Sequence, residues 1–391
     1  MSDPAQIPPG PLDGLLVVDL TRVLAGPYCT LVLAELGARV IKVERPDRGD
    51  DAREVGPFIA GKSAYFMSLN RGKRSIALDL GASGDRAIFE KLLARADVLV
   101  ENYRPGVLLK HGFGWDALHA RFPRLVLASI SGFGQTGPYA ERPAFDMVVQ
   151  AMGGVMSLTG WPGGPPTRVG TSIGDITAGL FGAIGVLAAL QERQSTGLGR
   201  HVDVAMLDSQ VAILENAIAR YAATGQVPGP LGARHPSIAP FAAFRARDRY
   251  LVIAAGHDEM FRRLCGVLGA DELLGDPRFS GVQERARNAD ALTPELEKRL
   301  AARDAADWLA RLAAAGVPCG PIHDIAGVLA DPQVRARNMI VSVDDPIAGV
   351  LSMPGNPIKL DRRADPTTRP PAPELDADRA AILAELERED G

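Results

Sequence analysis

The sequence predicts an α/β protein with a large, doubly wound domain followed by a smaller α+β domain. Short apolar runs alternate with segments of helical spacing in the first half of the chain, which implies parallel strands joined by right-handed crossovers. The chain has 391 residues, more than one hydrophobic core usually holds. Hydrophobic residues make up 46% of it and charged residues 23%, as is typical of a folded globular protein.

Five strands of the large domain are predicted from short apolar runs that are rich in β-branched residues. In chain order they are LLVVDL (15–20), ARVIKVE (38–44), RSIALDL (74–80), DVLVENY (97–103) and LVLASISGFG (125–134). Segments of helical spacing separate them: AGPYCTLVLAELG follows the first strand, and DRAIFEKLLARA follows the third. The uncharged run from Ala178 to Leu190 predicts a buried helix.

Changes in composition divide the chain into domains. The large α/β domain is predicted to span residues 1–210. Residues 211–234 are interrupted by Gly and Pro and are predicted to be a linker. A strand pair and several helices then predict a small α+β domain over residues 235–325. The last segment, 326–391, contains a Pro-rich stretch and a final helix, and is predicted to begin as a second linker.

Composition and charge argue against several classes of protein. The formal net charge is -4, and no basic patch or tail is present to bind nucleic acid. The apolar run 178–190 is shorter than the ~20 residues that span a bilayer, so no membrane association is expected. The acidic, Pro-rich N-terminus lacks the features of a signal peptide, which predicts a cytoplasmic location. Three scattered cysteines suggest neither a disulfide framework nor a metal site.

Two short motifs match catalytic patterns but lack the sequence context that those patterns need. GPFIAGKS (56–63) fits the phosphate-loop pattern GxxxxGK[ST], yet no buried strand leads into it, so we interpret it as a surface loop. GTSIG (170–174) fits the nucleophile elbow of α/β-hydrolases, and Asp258 and His323 follow in the order of a triad. The preceding GGPPTRV does not resemble a buried strand. A hydrolase that uses Ser172 is kept as an alternative.

Asp175 is a carboxylate that lies shortly before the uncharged run, and its role has two possible interpretations. Asp is a favoured N-cap because its side chain accepts hydrogen bonds from the first turn of a helix. A helix N-terminus also stabilises a carboxylate anion by up to ~1–2 kcal/mol, which would keep Asp175 ionised, as a nucleophile must be. Gly174 and Gly179 are expected to leave room for a ligand. Asp175 is therefore either a nucleophile or only a cap in a ligand-binding protein.

Basic residues follow or adjoin several of the predicted strands. In an open α/β sheet, ligands bind at the carboxyl ends of the strands, where the connecting loops converge. The basic residues expected at this rim are Arg22, Arg45, Arg48, Lys73, Arg104 and Lys110. Their positions predict a phosphorylated ligand such as a nucleotide or coenzyme A.

Longer segments, in order along nearly the whole chain, resemble the class III CoA-transferases, the formyl-CoA transferase and carnitine CoA-transferase family (CaiB/BaiF family). The segments are LDGLLVVDLTRVLAGPY, GARVIKVERPDRGDDAR, SLNRGKRSIALDL, VLVENYRPGVLLKHGFGW, ISGFGQTGPY, GDITAG, HPSIAPF, IAAGHDEMF, GVPCGPIHDI and DPQVRARNMI. The resemblance implies an enzyme without a permanently bound cofactor, whose substrates are an acyl-CoA and a small carboxylic acid.

The resemblance also implies roles for individual residues. Asp175, in GDITAG, matches the family's catalytic aspartate, which attacks the acyl-CoA thioester to form a mixed anhydride and then an aspartyl-CoA thioester. The positions that match CoA-contacting sites are Ala25, Arg45, Leu69, Asn70, Lys73, Asn102, Tyr103 and Lys110. The family fold has a Rossmann-like large domain built from both ends of the chain, so residues 326–391 are expected to return to it. The resemblance further implies that the small domain is inserted into the large one and that two chains form an interlocked homodimer.

This sequence departs from some members of the family at positions that bear on specificity. Phe145 stands where the α-methylacyl-CoA racemases have a histidine, so racemisation of a 2-methylacyl-CoA is not expected, although it is kept as an alternative. Leu24 and the AAGHDE loop (254–259) replace a glutamine and a glycine-run loop of the formyl-CoA transferases, which argues against oxalate and formate. The segments RVLAGP and RPDRGDDAR look more like those of family members that act on succinyl-CoA and other dicarboxylates. For such a substrate, Arg22 or Arg168 is the candidate partner of the distal carboxylate.

Overall fold

The computed structural model describes residues 10–388, and the chain forms two compact units. Within the described residues, the first unit consists of residues 10–156, 168–225 and 332–388. The second consists of Gln226–Asp331 together with the short segment Ser157–Thr167. The second unit therefore begins within the predicted linker 211–234, and it includes a short segment that no sequence pattern set apart.

The secondary structure of the described residues alternates between strands and helices in the first half of the chain. The strands are β1 (Leu16–Asp19), β2 (Arg39–Glu44), β3 (Phe58–Ile59), β4 (Lys62–Ser63), β5 (Arg74–Ala77), β6 (Val98–Glu101), β7 (Val126–Ser131), β8 (His201–Ala205), β9 (Phe241–Arg245), β10 (Tyr250–Ala254), β11 (Cys319–Pro321), β12 (Ile340–Asp345), β13 (Gly349–Pro354) and β14 (Thr368–Arg369). The helices are α1 (Ala25–Glu35), α2 (Ala64–Asn70), α3 (Ser83–Arg95), α4 (Val107–Lys110), α5 (Trp115–Arg121), α6 (Asp146–Met152), α7 (Val155–Leu158), α8 (Ile173–Thr196), α9 (Met206–Ala212), α10 (Ala217–Thr224), α11 (Asp258–Leu268), α12 (Val282–Arg287), α13 (Ala289–Leu300), α14 (Ala305–Ala314), α15 (Ile325–Ala330), α16 (Pro332–Ala336) and α17 (Arg379–Arg388).

The first unit is built on a six-stranded parallel sheet with the order β5-β2-β1-β6-β7-β8. The order reverses between β1 and β6, which lie side by side although helices and four strands separate them in sequence. This is the arrangement of a doubly wound sheet, whose ligands bind at the point of reversal. The predicted fold class is therefore confirmed, and all five predicted strands belong to this sheet.

Helices cover both faces of the sheet, which explains why its strands are apolar on both sides. On one face α1 and α8 pack together over the strands, with buried Cys29 and Val186 in the shared core. On the other face α3 packs beside α17, and Phe89 and Ile382 are buried there. The C-terminal helix thus belongs to the first unit.

The open edge of this sheet, at β5, is covered by the C-terminal segment. The backbone N–H of Ser75 donates to the carboxylate of Asp378 (2.8 Å), and that of Ala77 donates to Asp376 (2.7 Å). The backbone N–H of Asp378 donates in turn to the Ser75 carbonyl (3.1 Å). Backbone groups that an edge strand normally leaves unpaired are therefore satisfied by residues from the far end of the chain.

Smaller sheets complete the two units. In the first unit, β12 pairs with β13 antiparallel and with β14 parallel, and Phe66 of α2 packs in the same cluster as Val341. The phosphate-loop match at 56–63 forms the short antiparallel hairpin β3–β4, so its interpretation as a loop without the strand-to-helix geometry is confirmed. In the second unit, the antiparallel sheet β11-β10-β9 packs with α11, α13 and α14 around Phe261 and Trp308.

Helix α8 extends beyond the apolar run that predicted it, to Thr196. Among the described residues it is the one helix long and apolar enough to cross a membrane, with a mean hydropathy of 1.8 over its most apolar window. Half of that window is buried within the protein. Because the core helix of a globular protein has the same composition, this property is weak evidence of a membrane span.

Candidate active site

A cavity of about 290 Å³ lies in the first unit, where β1, β6 and β7 end. Asp175 of α8 lies in its wall together with residues of the loops that follow these strands. The sequence-predicted residues that the structure brings together here are Arg22, Ala25, Asn102, Tyr103, Arg104 and Asp175. Leu24 and Phe145, at which the sequence departs from some members of the family that it resembles, line the same cavity.

Asp175 lies in the first turn of α8, but it is not the N-cap. The helix begins at Ile173 and Ser172 occupies the N-cap position, so the predicted capping role of Asp175 is wrong. The prediction that the helix terminus keeps this carboxylate ionised is also wrong in direction. Burial, and to a smaller extent the neighbouring negative charge of Asp146, together raise the pKa of Asp175 to about 7. Desolvation outweighs the helix dipole here.

Asp146 occupies the place at the N-terminus of α8 that the sequence assigned to Asp175. One of its oxygens accepts from the backbone N–H of Gly174 (2.9 Å), and the other accepts from the Gln150 amide (2.7 Å). The guanidinium of Arg168 lies 3.6 Å from the same carboxylate. Sequence reasoning noted Phe145 and missed this aspartate directly after it, because its contact spans 28 residues of chain.

The two glycines that flank Asp175 serve helix packing rather than ligand access. A Cβ atom on Gly174 would lie 2.7 Å from Val149 Cγ2, and one on Gly179 would lie 2.6 Å from the carbonyl oxygen of Ala25. The expectation that they leave room for a ligand is therefore wrong. They allow α8 to pack closely against α6 and α1, which places Asp175 against the cavity.

Tyr65 of α2 belongs to the electrostatic environment of Asp175. Burial raises the pKa of the Tyr65 phenol to about 12, and the next contribution is the negative charge of Asp175. The phenol therefore keeps its proton and is a neutral hydrogen-bond donor near the carboxylates. No motif in the sequence indicated this residue.

A group of three arginines shares one carboxylate beside the cavity. Asp51 lies 3.0 Å from Arg22, 2.8 Å from Arg45 and 3.7 Å from Arg48, so two positive charges remain in excess. The Nε atoms of Arg22 and Arg45 are buried and have no hydrogen-bond partner among residues 10–388. Arg22 also lies over the ring of Tyr103, 5.1 Å from its centroid. Excess positive charge with unpaired donors suits an anionic ligand.

The loop after β1 is held by side chains from two other loops. Asn102 accepts from the backbone N–H of Arg22 (2.8 Å) and donates to its carbonyl (2.7 Å). Val23 has a φ of 67°, a left-handed conformation that is costly for a β-branched residue. Its N–H donates to Asp50 (3.0 Å), and Asp50 pairs with the buried Lys42 (2.8 Å). These contacts hold the cavity wall in a strained shape.

Lys73 lies in the protein interior and not at the rim. Its side chain has no exposed surface, and Nζ lies 3.0 Å from Asp19 and donates to Thr30 (2.8 Å) and Asn70 (2.8 Å). Burial lowers its pKa to about 8 despite the Asp19 charge. The prediction that Lys73 offers a cation to a polyanion is therefore wrong, because an inward-facing aspartate uses that charge. Leu69, also matched to a CoA contact, is buried as well.

A second cavity, of about 460 Å³, lies over the ends of β1, β2, β5 and β6. Tyr103 lines both cavities, and Arg45 lines this one. Lys110 is exposed at the end of α4, next to the lining residue His111. The arginine group therefore lies where the two cavities adjoin, at the point where the strand order reverses.

The alternative nucleophile Ser172 lacks the partners of a catalytic triad. Among the described residues, none forms a hydrogen bond with its hydroxyl group. Asp258 accepts instead from Arg285 (2.7 Å), and His323 pairs with Asp331 (3.3 Å). Ser172 thus has no base to activate it among residues 10–388. Within residues 10–388, no three His, Cys, Asp or Glu side chains are grouped so as to hold a metal ion.

Comparison with known proteins gives a consistent set of similarities. The profile of CoA-transferase family III matches residues 12–379. Acetyl-CoA:oxalate CoA-transferase of Acetobacter aceti is 50% identical, with 97% of this chain and 96% of that protein aligned. Succinyl-CoA:mesaconate CoA-transferase of Haloarcula hispanica is 41% identical, with 96% of each aligned, and succinyl-CoA:glutarate CoA-transferase of Mus musculus is 38% identical, with 97% and 87% aligned. The crystal structure of a CAIB/BAIF family protein from Brucella suis superposes with a TM-score of 0.85 at 42% identity, covering 97% of this chain and 100% of that chain.

Proposed function

Because this chain belongs to CoA-transferase family III, we propose that it moves coenzyme A from an acyl-CoA to a free dicarboxylic acid, with Asp175 as the nucleophile. One observation carries the proposal. Of the two carboxylates that line the first cavity, Asp51 is paired with arginines, whereas Asp175 has no cationic partner among the described residues. Asp175 is partly buried, and a carboxylate in such a position without a counter-ion is stabilised when a reaction removes its charge.

The reaction begins when a carboxylate oxygen of Asp175 attacks the thioester carbonyl of the acyl-CoA. The carbon–sulfur bond breaks, the CoA thiolate leaves, and a mixed anhydride joins Asp175 to the acyl group. The thiolate then attacks the aspartyl carbonyl, which releases the first acid and leaves an enzyme–CoA thioester. A carboxylate of the acceptor acid then attacks the enzyme–CoA thioester, which expels the CoA thiolate and forms a second mixed anhydride. The thiolate attacks the acceptor's carbonyl in this anhydride, so the acceptor leaves as its CoA thioester and Asp175 is regenerated as a carboxylate. The covalent route divides one difficult exchange into easier steps.

Asp146 and burial supply part of the driving force for the first attack. Both raise the pKa of Asp175 and so make its ionised form more basic and more nucleophilic. In either acylated form the residue carries no negative charge, so its desolvation and its repulsion with Asp146 are relieved. The Gly174–Asp146 hydrogen bond fixes the two carboxylates on adjacent elements. We therefore assign Asp146 a positioning and electrostatic role.

The arginine group suits the phosphates of coenzyme A. Arg22, Arg45 and Arg48 carry two unbalanced charges and two unpaired buried donors, and phosphate oxygens match guanidinium geometry. The second cavity beside this group then accommodates the rest of the nucleotide, with Tyr103 in its wall and Lys110 at its edge. Ala25 and Asn102, which line the first cavity, stay as proposed contacts. Asn70 has no exposed surface, so a direct contact through it is not proposed.

A dicarboxylic acid is the substrate class that the relatives support. The names of the three relatives above contain oxalate, mesaconate and glutarate, each with two carboxylates. Leu24 and the 254–259 loop argue against oxalate, but the 50% identical relative carries oxalate in its name, so oxalate stays among the candidate acids. The acid therefore has a carboxylate that reacts and a distal one that needs a cation.

Trapping of the covalent intermediate tests the proposal. The protein is incubated with acetyl-CoA or succinyl-CoA, treated with hydroxylamine or borohydride, and digested for mass spectrometry. We expect the modification on Asp175, and none on it in an Asp175→Asn variant treated in the same way. A modification on Ser172 would indicate the hydrolase instead, and an unmodified chain would leave only a ligand-binding protein. A racemase would incorporate deuterium at the α-carbon of a 2-methylacyl-CoA in heavy water.

We also propose that the protein functions as a homodimer. Leu180, Phe181 and Ile184 form an exposed apolar stripe on α8, and Met147 of α6 is exposed as well. Contiguous apolar surface of this kind marks an interaction site. Sedimentation velocity is expected to give twice the mass of the 41.4 kDa chain, and an Ile184→Glu variant should shift it toward the monomer. A wild-type protein that sediments as a monomer would contradict the assignment.

A further inference from the structure

Three arginines line the cavity that contains Asp175: Arg22, Arg104 and Arg142. Arg22 is paired with Asp51, and its loop adjoins the second cavity. Arg168, the other sequence candidate for the distal carboxylate, is absent from this lining and lies 3.6 Å from Asp146. Both sequence candidates therefore already have a carboxylate partner within the protein.

Arg142 has no such partner. Among the described residues no carboxylate forms an ion pair with its guanidinium, which lies over the ring of Tyr139, 4.0 Å from the centroid. Its backbone N–H donates to the Tyr139 carbonyl (2.9 Å). A guanidinium stacked on an aromatic ring keeps its plane fixed while the N–H groups at its edge stay available for a carboxylate.

The loop that carries Arg142 is anchored beside the reacting group. It leads from β7 into α6, whose first residue, Asp146, accepts from Gly174 directly before Asp175. Arg104 also lacks a carboxylate partner within the part of the chain that the structure describes. It follows β6 and lines the cavity next to Tyr103, which also borders the second cavity. The strand order β1-β6-β7 therefore separates the two arginines onto different loops.

We propose that Arg142 binds the distal carboxylate of the dicarboxylic acid while the other carboxyl group reacts at Asp175. This inference rests on the proposed function and deepens it, since it names the residue that selects a substrate with two carboxylates. The Tyr139 ring positions the guanidinium, and the fork of two N–H groups meets the carboxylate in bidentate geometry. A monocarboxylic acid of the same length makes every other contact but this one.

The test compares two donors of equal chain length, succinyl-CoA and butyryl-CoA, by the rate at which each labels Asp175. We expect wild type to prefer succinyl-CoA, and Arg142→Gln to lower the apparent kcat/KM for succinyl-CoA about 10- to 100-fold while butyryl-CoA changes less than threefold. Arg142→Lys should recover part of the loss, because it restores the charge without the fork. Arg104→Gln is the matched control and should affect both donors by the same factor.

The outcomes separate this inference from the function on which it rests. Equal losses for both donors in Arg142→Gln, or a wild type that labels equally fast with either, would overturn the role of Arg142 and leave the transferase mechanism intact. Failure of wild type to label Asp175 with any acyl-CoA would overturn both. Retained labelling by butyryl-CoA in Arg142→Gln shows that the variant is folded.

Discussion

Asp175 is expected to destabilise the folded protein at neutral and alkaline pH. Its pKa is raised from 3.8 to about 7, chiefly by burial. The folded-state pKa of Asp175 lies above its unfolded-state pKa. The free energy of unfolding is therefore highest below pH 3.8, where Asp175 is protonated in both states, and it falls as the pH rises through about 7. At pH 8 the folded state must hold a partly buried anion that the unfolded chain exposes fully to water. An Asp175→Asn variant removes this cost.

The pKa of Asp175 sets the size of the effect. A displacement of about 3 units at about 1.4 kcal/mol per unit gives at most about 4 kcal/mol at pH 8. By pH 5.5 roughly half of this cost is already present, so the stability difference between the variant and wild type should widen by about 2 kcal/mol from pH 5.5 to pH 8. The variant is therefore inactive and yet more stable than wild type.

Urea unfolding of both proteins at pH 5.5, 6.5, 7.5 and 8 measures this difference. Asp208→Asn is the matched control, since Asp208 also lies in the first turn of a helix but is exposed, and it should change stability by about 0.5 kcal/mol or less. A difference between Asp175→Asn and wild type that stays constant with pH would refute the argument. So would a variant less stable than wild type at pH 8.

Three further predictions follow from contacts in the first unit. Asp146→Asn removes the negative charge that raises the pKa of the nucleophile, so the pH midpoint of covalent labelling should move to lower pH; an unchanged midpoint would contradict the assignment. Gly179→Ala places a Cβ 2.6 Å from a backbone carbonyl and should cost about 1–3 kcal/mol in thermal or urea unfolding, whereas Gly266→Ala, with open space around it, should be neutral or slightly stabilising. Lys73→Met leaves a buried aspartate without its ion-pair partner and should lower the free energy of unfolding by about 3–5 kcal/mol. The exposed Lys110→Met should lower it by about 0.5 kcal/mol or less. Similar stability of these two variants would contradict the buried position of Lys73.

The large sheet was predictable because its strands are buried on both faces. Runs such as those that contain Val17 and Val126 are apolar throughout, which indicates a strand covered by helices. Strand β8 was missed because it is an edge strand, paired only with β7 and largely half-exposed, so that its HVDVA sequence alternates between polar and apolar residues. The β12–β13 hairpin was missed for a related reason, since its exposed residues mix with buried ones in a short segment.

The site was predictable only in the features that sequence neighbours determine. Asp175 is recognisable as a lone carboxylate before an apolar helix, and this pattern needs no tertiary contact. The environment of Asp175 depends on Asp146, which contacts the adjacent Gly174 across 28 residues of chain, and no local pattern predicts that contact. Lys73 shows the opposite error, because its inward orientation is decided by Asp19, 54 residues away. Whether a cation is free or already paired is a property of the folded chain.

The order of synthesis has a consequence for the sheet edge closed by Asp376 and Asp378. A growing chain completes β5 early, yet the residues that occupy its free edge leave the ribosome some 300 residues later, after the whole second unit. Until then the nascent sheet presents an unpaired strand able to join a strand of another molecule. We therefore expect the first unit to be the first to begin folding and the last to be completed.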